Sequence, residues 1–330
     1  MLHCLIIGAA GMLGDGLAKR LVKDGEIGGR KIGRLTLFDI VPAHAPHVEE
    51  ISVTVEAGDI SAVETAERLV ASRPDVIFHL AAIVSGEAER DFEKGYLINL
   101  DGTRNLFEAI RKANEEDGYC PRVVFTSSLA VFGSPLPDVI GDDHIITPHS
   151  SYGTQKAIGE LLLADYSRRG FFDGIGIRLP TICIRPGKPN AAASSFYSGI
   201  LREPLAGLPA ILPVDTSMRH WFASPRAAIG FMAHAAAVSS ELLAGRRNMT
   251  MPGVSATVAD EIEALRVIAG DAAVALIRYE KDPAIEAILS TWPQAFEADR
   301  ALKLGFEADE SFEAIVRAYL EDYATDAEQA

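Results

Sequence analysis

The sequence predicts an α/β fold, a doubly wound parallel sheet followed by a smaller lobe. Short apolar runs free of turn residues recur along the first half of the chain, beginning at Leu2–Ile7. Helix-spaced apolar residues such as Leu17, Ala18, Leu21 and Val22 lie between them. The first run passes through Gly8, Gly11 and Gly14 directly into the first helical pattern. Such alternation builds a parallel sheet with helices on both faces. The 330 residues suffice for one such domain over 1–180 and a second lobe over 181–330, some of whose segments return to the first domain.

Leu2–Ile7 reads as a buried parallel strand. The turn Gly8-Ala-Ala-Gly11-Met12-Leu13-Gly14 lets backbone amides approach a pyrophosphate, and the helix that follows adds free N–H groups and its positive dipole end. The second strand, Arg34–Asp39, ends on an acid that can accept hydrogen bonds from both hydroxyls of an adenosine ribose. A carboxylate there repels a 2′-phosphate and favours NAD over NADP, although an Asp at a strand end can also simply cap the next turn. Arg34 stands at the strand start, away from that edge. A third strand at Val55 runs into Gly58-Asp59, where Asp59 can reach an adenine amino group. Pro74–Ala82 is a fourth strand whose end, Leu80-Ala81-Ala82, is small enough for a cofactor to lie against the backbone. His79 within it reads as a packed core histidine.

The strand Arg122–Thr126 places Ser128 at its C-terminal edge, and a helix beginning at Tyr152 carries Lys156 four residues on, on the same face. A phenol titrates near ~10, too high for a base at neutral pH, but a neighbouring ammonium favours the phenolate. Ser128 can orient a substrate hydroxyl whose proton goes to Tyr152, while Lys156 also holds the nicotinamide ribose. Ser127 either touches substrate or bonds backbone at the strand end.

These residues resemble the extended short-chain dehydrogenase/reductase family, which includes nucleotide-sugar epimerases and dehydratases. The resemblance covers residues 1–180. It is carried by the glycine turn, Asp39, Gly58-Asp59-Ile60, His79–Ala82, Asn99-Leu-Asp-Gly102-Thr103-Arg-Asn105, Thr126–Gly133 and Tyr152–Lys156. It implies a Rossmann-type sheet, NAD as cofactor, and NAD contacts that include Ile60, Asn99 and Pro180. It also implies a homodimer built through the amphipathic stretches Leu97–Ala113 and Tyr152–Arg168. Phe132 stands where the family often has tyrosine. The runs Pro148–Glu160 and Arg178–Gly187 are most similar to members that oxidise the 2-hydroxyl of the four-carbon sugar acid D-erythronate. The rival expectations are a nucleotide-sugar 4-epimerase using the same triad and a dehydrogenase of another small hydroxy compound such as L-threonine. A catalytically silent NAD sensor is a third, for which a broken triad is expected; here Ser128, Tyr152 and Lys156 are all present.

In the second lobe Thr181 replaces the asparagine usual for nucleotide-sugar substrates. Arg185, Asn190, Arg219 and His220 are its candidate polar groups, because an arginine pairs bidentately with a carboxylate. Arg219 can equally serve a phosphate, or be a solvated surface charge. Trp221 and Phe222 read as packing, and Leu205–Pro213 as a loop.

A net charge of −15 disfavours nucleic acid or an anionic membrane as partner. The apolar start is too short, and too soon broken by glycines and Asp15, to read as a signal peptide, and no transmembrane span is expected. Cys4, Cys120 and Cys183 lack paired spacing, which suits a reducing cytoplasm, with Cys4 and Cys183 in apolar runs. His44 and His47 lack further ligands, so no metal is expected.

Overall fold

The computed structural model describes residues 1–187 and 194–327. The described residues divide into two units: 1–131, 148–178 and 229–249 form the first, and 132–147, 179–187, 194–228 and 250–327 the second. The stretch 132–147, counted with the first 180 residues in the sequence reading, therefore clusters with the second unit, and 229–249 with the first.

The first unit is built on a sheet whose strands run, from one edge, Asn248–Thr250, Asp173–Leu179, Arg122–Ser128, Val76–His79, Leu2–Ile7 and Arg30–Asp39, with Ser52–Ala57 beyond. Leu2–Ile7 is parallel to both neighbours, Cys4 pairing with Leu35 on one side and Val76 on the other. The chain order reverses direction across the sheet at Leu2–Ile7, the Rossmann arrangement in which a crevice opens at the strand C-terminal ends. Every residue of Leu2–Ile7 is buried, as a strand covered on both faces requires. Leu5, Ile7, Leu106, Phe107, Ile110 and Phe125 share one core, in which each large apolar side chain contributes about 1.5–3 kcal/mol of burial.

The second strand starts at Arg30, not Arg34, so Arg34 lies mid-strand; Arg30 and Lys31 pair antiparallel with the short strand Glu26–Ile27. Their charges hid the strand's beginning, because an edge pair exposed to water needs no apolar pattern. The expected helix at Leu97 is a π turn, Tyr96–Asp101, followed by the helix Gly102–Asp117. Arg122, buried at the base of the sheet, donates from Nε and Nη2 to Ala235 O and from Nη2 to Val238 O. Those carbonyls close the Pro225–Ala237 helix, whose last turn would otherwise lack partners, and this bonding draws 229–249 into the first unit.

In the second unit Arg219–Ala223 is flanked by Val254–Thr257, antiparallel, and Thr181–Ile182, parallel. Leu205–Pro213 is not all loop: Ala210–Leu212 pairs in parallel with Ile277–Tyr279. Phe222 is fully buried among Tyr197, Ile200, Leu265, Phe312 and Ile315, and Trp221 packs with its Nε1 donating to Met251 O. Glu261 is also fully buried there, and neither carboxyl oxygen has a partner among the described residues. Burial first, then the neighbouring Asp260, pushes its carboxyl well above the ordinary glutamate range. Cys4 and Cys183 are buried free thiols and Cys120 is exposed. No helix among the described residues is long and apolar enough to cross a membrane.

Candidate active site

At the C-terminal end of Leu2–Ile7 the chain bends at Gly8, whose φ of +98° favours glycine. A Cβ at Gly8 would lie 2.7 Å from Ala81 N, and one at Gly14 would lie 2.1 Å from Gly8 O. The helix Met12–Asp24 therefore starts against the strand ends. Its N-cap, Gly11, has no side chain to cap the first-turn N–H groups, which leaves that role to a ligand, and Met12 and Leu13 are half-buried beside them. Asp39 fixes this turn: Oδ2 accepts from Ala10 N at 2.9 Å and Oδ1 from Ile40 N at 2.6 Å. Asp59 is exposed and accepts from Ser61 N and Oγ, while Ile60 is buried against Gly102. These close approaches and free amides fit a dinucleotide.

Leu80, Ala81 and Ala82 lie half-buried just past the neighbouring strand. Asn99, inside the π turn, is buried; its Oδ1 accepts from Ile83 N at 2.8 Å, and its Nδ2 donates to Ile83 O and Gln155 Oε1. It thus pins the segment after Ala82 to the helix that carries Tyr152. His79 is packed in the core as expected. Thr103 donates its hydroxyl to Asn99 O, so it can only accept from His79 Nε2, and the proton is assigned to Nε2. Burial and the Lys156 charge push His79 down to about 3, which keeps it neutral.

Ser128 is the last residue of Arg122–Ser128, and its Oγ accepts from Ala130 N at 3.2 Å, leaving its proton to donate elsewhere. The helix Ser151–Arg168 is capped by Ser150, whose Oγ accepts from Gly153 N. Gly153 lies directly against Ala130: a Cβ there would be 2.0 Å from Ala130 O. That contact brings the helix start, and Tyr152 with it, to the turn that follows Ser128. Lys156 is buried, donates from Nζ to Thr126 O at 2.8 Å, and lies 5.7 Å from the Tyr152 ring centroid and 5.0 Å from that of Phe125. Burial pushes it down to about 8, with the Glu160 carboxylate opposing.

Ser127 bonds a side chain and not the backbone expected at the strand end. Its Oγ donates to Glu160 Oε1 at 2.5 Å, and Glu160 is held by Arg178 from the next strand. Nothing in local spacing signalled Glu160 or Arg178, which are 18 residues apart. Breaking such a buried pair by removing one partner costs about 3–5 kcal/mol.

In the second unit Pro180 is buried. Arg185 donates from Nε to Ile182 O and from its backbone N to Ser198 Oγ. Arg219 is exposed and reaches Ser255. His220 is no surface polar group: its Nδ1 donates to Pro293 O, its Nε2 accepts from Thr181, and its ring stacks on Tyr197. Burial pushes it down to about 4. Asn190 lies outside the described residues. Among the described residues no cluster of three metal-ligating side chains forms.

Residues 4–223 match the model of the NAD dependent epimerase/dehydratase family. The chain is 48% identical over 325 residues to a D-erythronate dehydrogenase of Cupriavidus necator, covering 97% of this chain and 98% of that one. It is 42% identical over 317 residues to a D-erythronate dehydrogenase of Haemophilus influenzae, covering 96% and 98%. A solved structure described as a nucleoside-diphosphate-sugar epimerase from Agrobacterium tumefaciens superposes with a TM-score of 0.96 at 62% identity, covering 98% of this chain and 95% of that one. With the glycine turn, Asp39 and the Ser128, Tyr152 and Lys156 placement already in the first unit, the chain belongs to the NAD dependent epimerase/dehydratase family.

Proposed function

We propose that the protein is an NAD-dependent dehydrogenase that oxidises the 2-hydroxyl of a small sugar acid, D-erythronate, to the 2-oxo acid. The observation that carries this reading is the placing of Ser128, Tyr152 and buried Lys156 in one unit with a dinucleotide turn, in a chain nearly half identical to D-erythronate dehydrogenases. Bound NAD would supply the hydride acceptor, held by the Gly8–Gly14 turn, Asp39 and Lys156. Ser128 donates its free proton toward the substrate oxygen and orients it. Tyr152 removes the hydroxyl proton, its phenolate favoured by the ammonium of Lys156. Arg185 and Arg219 of the second unit are the candidate partners of the substrate carboxylate. The second reading, a nucleotide-sugar epimerase, is favoured by the description of the 62% identical structure. Homodimer formation is part of our reading, supported by exposed Leu97 and Leu161 on the two helical segments expected to pair. A monomeric mass by light scattering would remove that part.

The deciding experiment follows absorbance at 340 nm with NAD and both enantiomers of erythronate and threonate. A rise confined to D-erythronate is expected. No rise with any acid, together with interconversion of nucleotide sugars, would put the epimerase reading in its place.

Asp39 offers a second check. Asp39→Ala removes the charge-assisted hydrogen bond to Ala10 N in the turn, the one to Ile40 N and the acceptor for the ribose, and should weaken NAD about 10–100-fold while raising relative NADP affinity. Asp39→Asn, which can still accept from Ala10 N, should relax the discrimination with a smaller loss. Titration of both cofactors tests this, and an unchanged preference in both variants would clear Asp39 of the ribose role.

A further inference from the structure

Two buried charged groups beside the triad have no part in the chemistry above. Glu160 follows Lys156 by one turn of the Ser151–Arg168 helix, with its side chain 2% exposed, and Arg178 on Asp173–Leu179 is 11% exposed. Arg178 donates from Nε to Oε1 at 2.9 Å and from Nη2 to Oε2 at 2.7 Å, a bidentate pair. Ser127 donates to the same Oε1. Asn248 Nδ2 donates to the Glu160 backbone carbonyl at 3.0 Å. A pair this deep must repay the desolvation of both ions, and well-packed apolar residues often serve stability as well or better. Its position suggests other work. One carboxylate ties the residue before Ser128 to the helix that bears Tyr152 and Lys156. It is also the anion one turn from a lysine whose charge burial opposes.

We propose that Glu160 is a positioning residue of the reaction. Through Ser127 it sets Ser128 against Tyr152, and through its charge it keeps the buried Lys156 an ammonium; Arg178 holds the carboxylate in place. Ser127 then acts through Glu160 and not on the substrate. The proposal rests on the Ser128–Tyr152–Lys156 reading. Its sign is definite: without the carboxylate, Lys156 loses its proton at lower pH, and the alkaline limb of the rate moves down with it.

The test compares Glu160→Gln, Glu160→Gln/Arg178→Gln and Ser127→Ala with the wild-type chain. The side-chain nitrogen of Lys156 is titrated by NMR in 15N-lysine protein without cofactor, its signal assigned by its loss in Lys156→Met. The wild-type midpoint is expected near about 8, falling by about one pH unit in both Glu160 variants. The double variant leaves no unpaired guanidinium and should regain thermal stability while keeping the lowered midpoint. With D-erythronate, Glu160→Gln should lose tenfold or more in kcat, and Ser127→Ala severalfold, each with KM within about twofold. A folded double variant with the wild-type lysine midpoint would overturn the electrostatic role. Should both Glu160 variants fail to fold, Ser127→Ala decides: a raised KM at unchanged kcat means that Ser127 touches substrate and the proposal is wrong. Tyr152→Phe separates the two levels. If it keeps turnover, the triad reading itself falls; if it is inactive while the Glu160 variants titrate like wild type, only this proposal does.

Discussion

Tyr152→Phe is expected to abolish NADH formation, lowering kcat by about 10²–10⁴-fold, while NAD binds as in the wild type. The substitution removes one oxygen and leaves the ring beside Lys156, so the packing of the helix start is kept. Turnover measured at 340 nm and NAD affinity by fluorescence titration check both halves of the expectation. Wild-type-like turnover would exclude Tyr152 as the base, and a large loss of NAD affinity would mean that its hydroxyl serves binding. The pH dependence follows from the same pair. The ammonium that favours the phenolate is lost as Lys156 titrates at about 8, so the oxidation rate should fall off on the alkaline side of that point.

Gly153→Ala should have an effect nearly as large, although residue 153 carries no chemistry. Its Cβ would meet Ala130 O at 2.0 Å and Ala130 C at 2.9 Å, both backbone atoms that cannot swing aside. The helix start must move away from the turn after Ser128. Overpacking of this kind costs about 1–3 kcal/mol, seen as a lower Tm. A displacement of about 1 Å between Tyr152 and Ser128 costs about a hundredfold in kcat. Gly230→Ala is the control: a Cβ there meets nothing within 4 Å, in the Pro225–Ala237 helix, so its Tm should hold or rise and its kcat stay unchanged. If Gly153→Ala matched that control, the Gly153–Ala130 approach would not be what sets the site.

Much of the first unit was legible because its signals are local. A strand buried on both faces must be apolar throughout, and Leu2–Ile7 is. Gly8 and Gly14 mark a turn that admits no side chain, and a four-residue spacing puts Tyr152 and Lys156 on one helix face whatever surrounds them. Legibility failed where a feature depends on its surroundings. Arg30 and Lys31 hid the start of the second strand because water, not a core, faces both side chains. His220 was read as a polar group for a ligand, yet its two ring nitrogens are satisfied by Pro293 O and Thr181, partners 73 and 39 residues away.

Chain order alone was thus enough for the parallel sheet, the glycine turn and the sharing of one helix face by Tyr152 and Lys156, since each follows from a backbone requirement within a few residues. Which surfaces meet was decided by the tertiary fold. It placed Gly153 on Ala130, gave Ser127 to a Glu160 held by Arg178 instead of to backbone at the strand end, and buried Lys156 so that its proton is held less firmly. Packing, desolvation and ion pairing act between groups distant in sequence, so no local pattern of residues announces them.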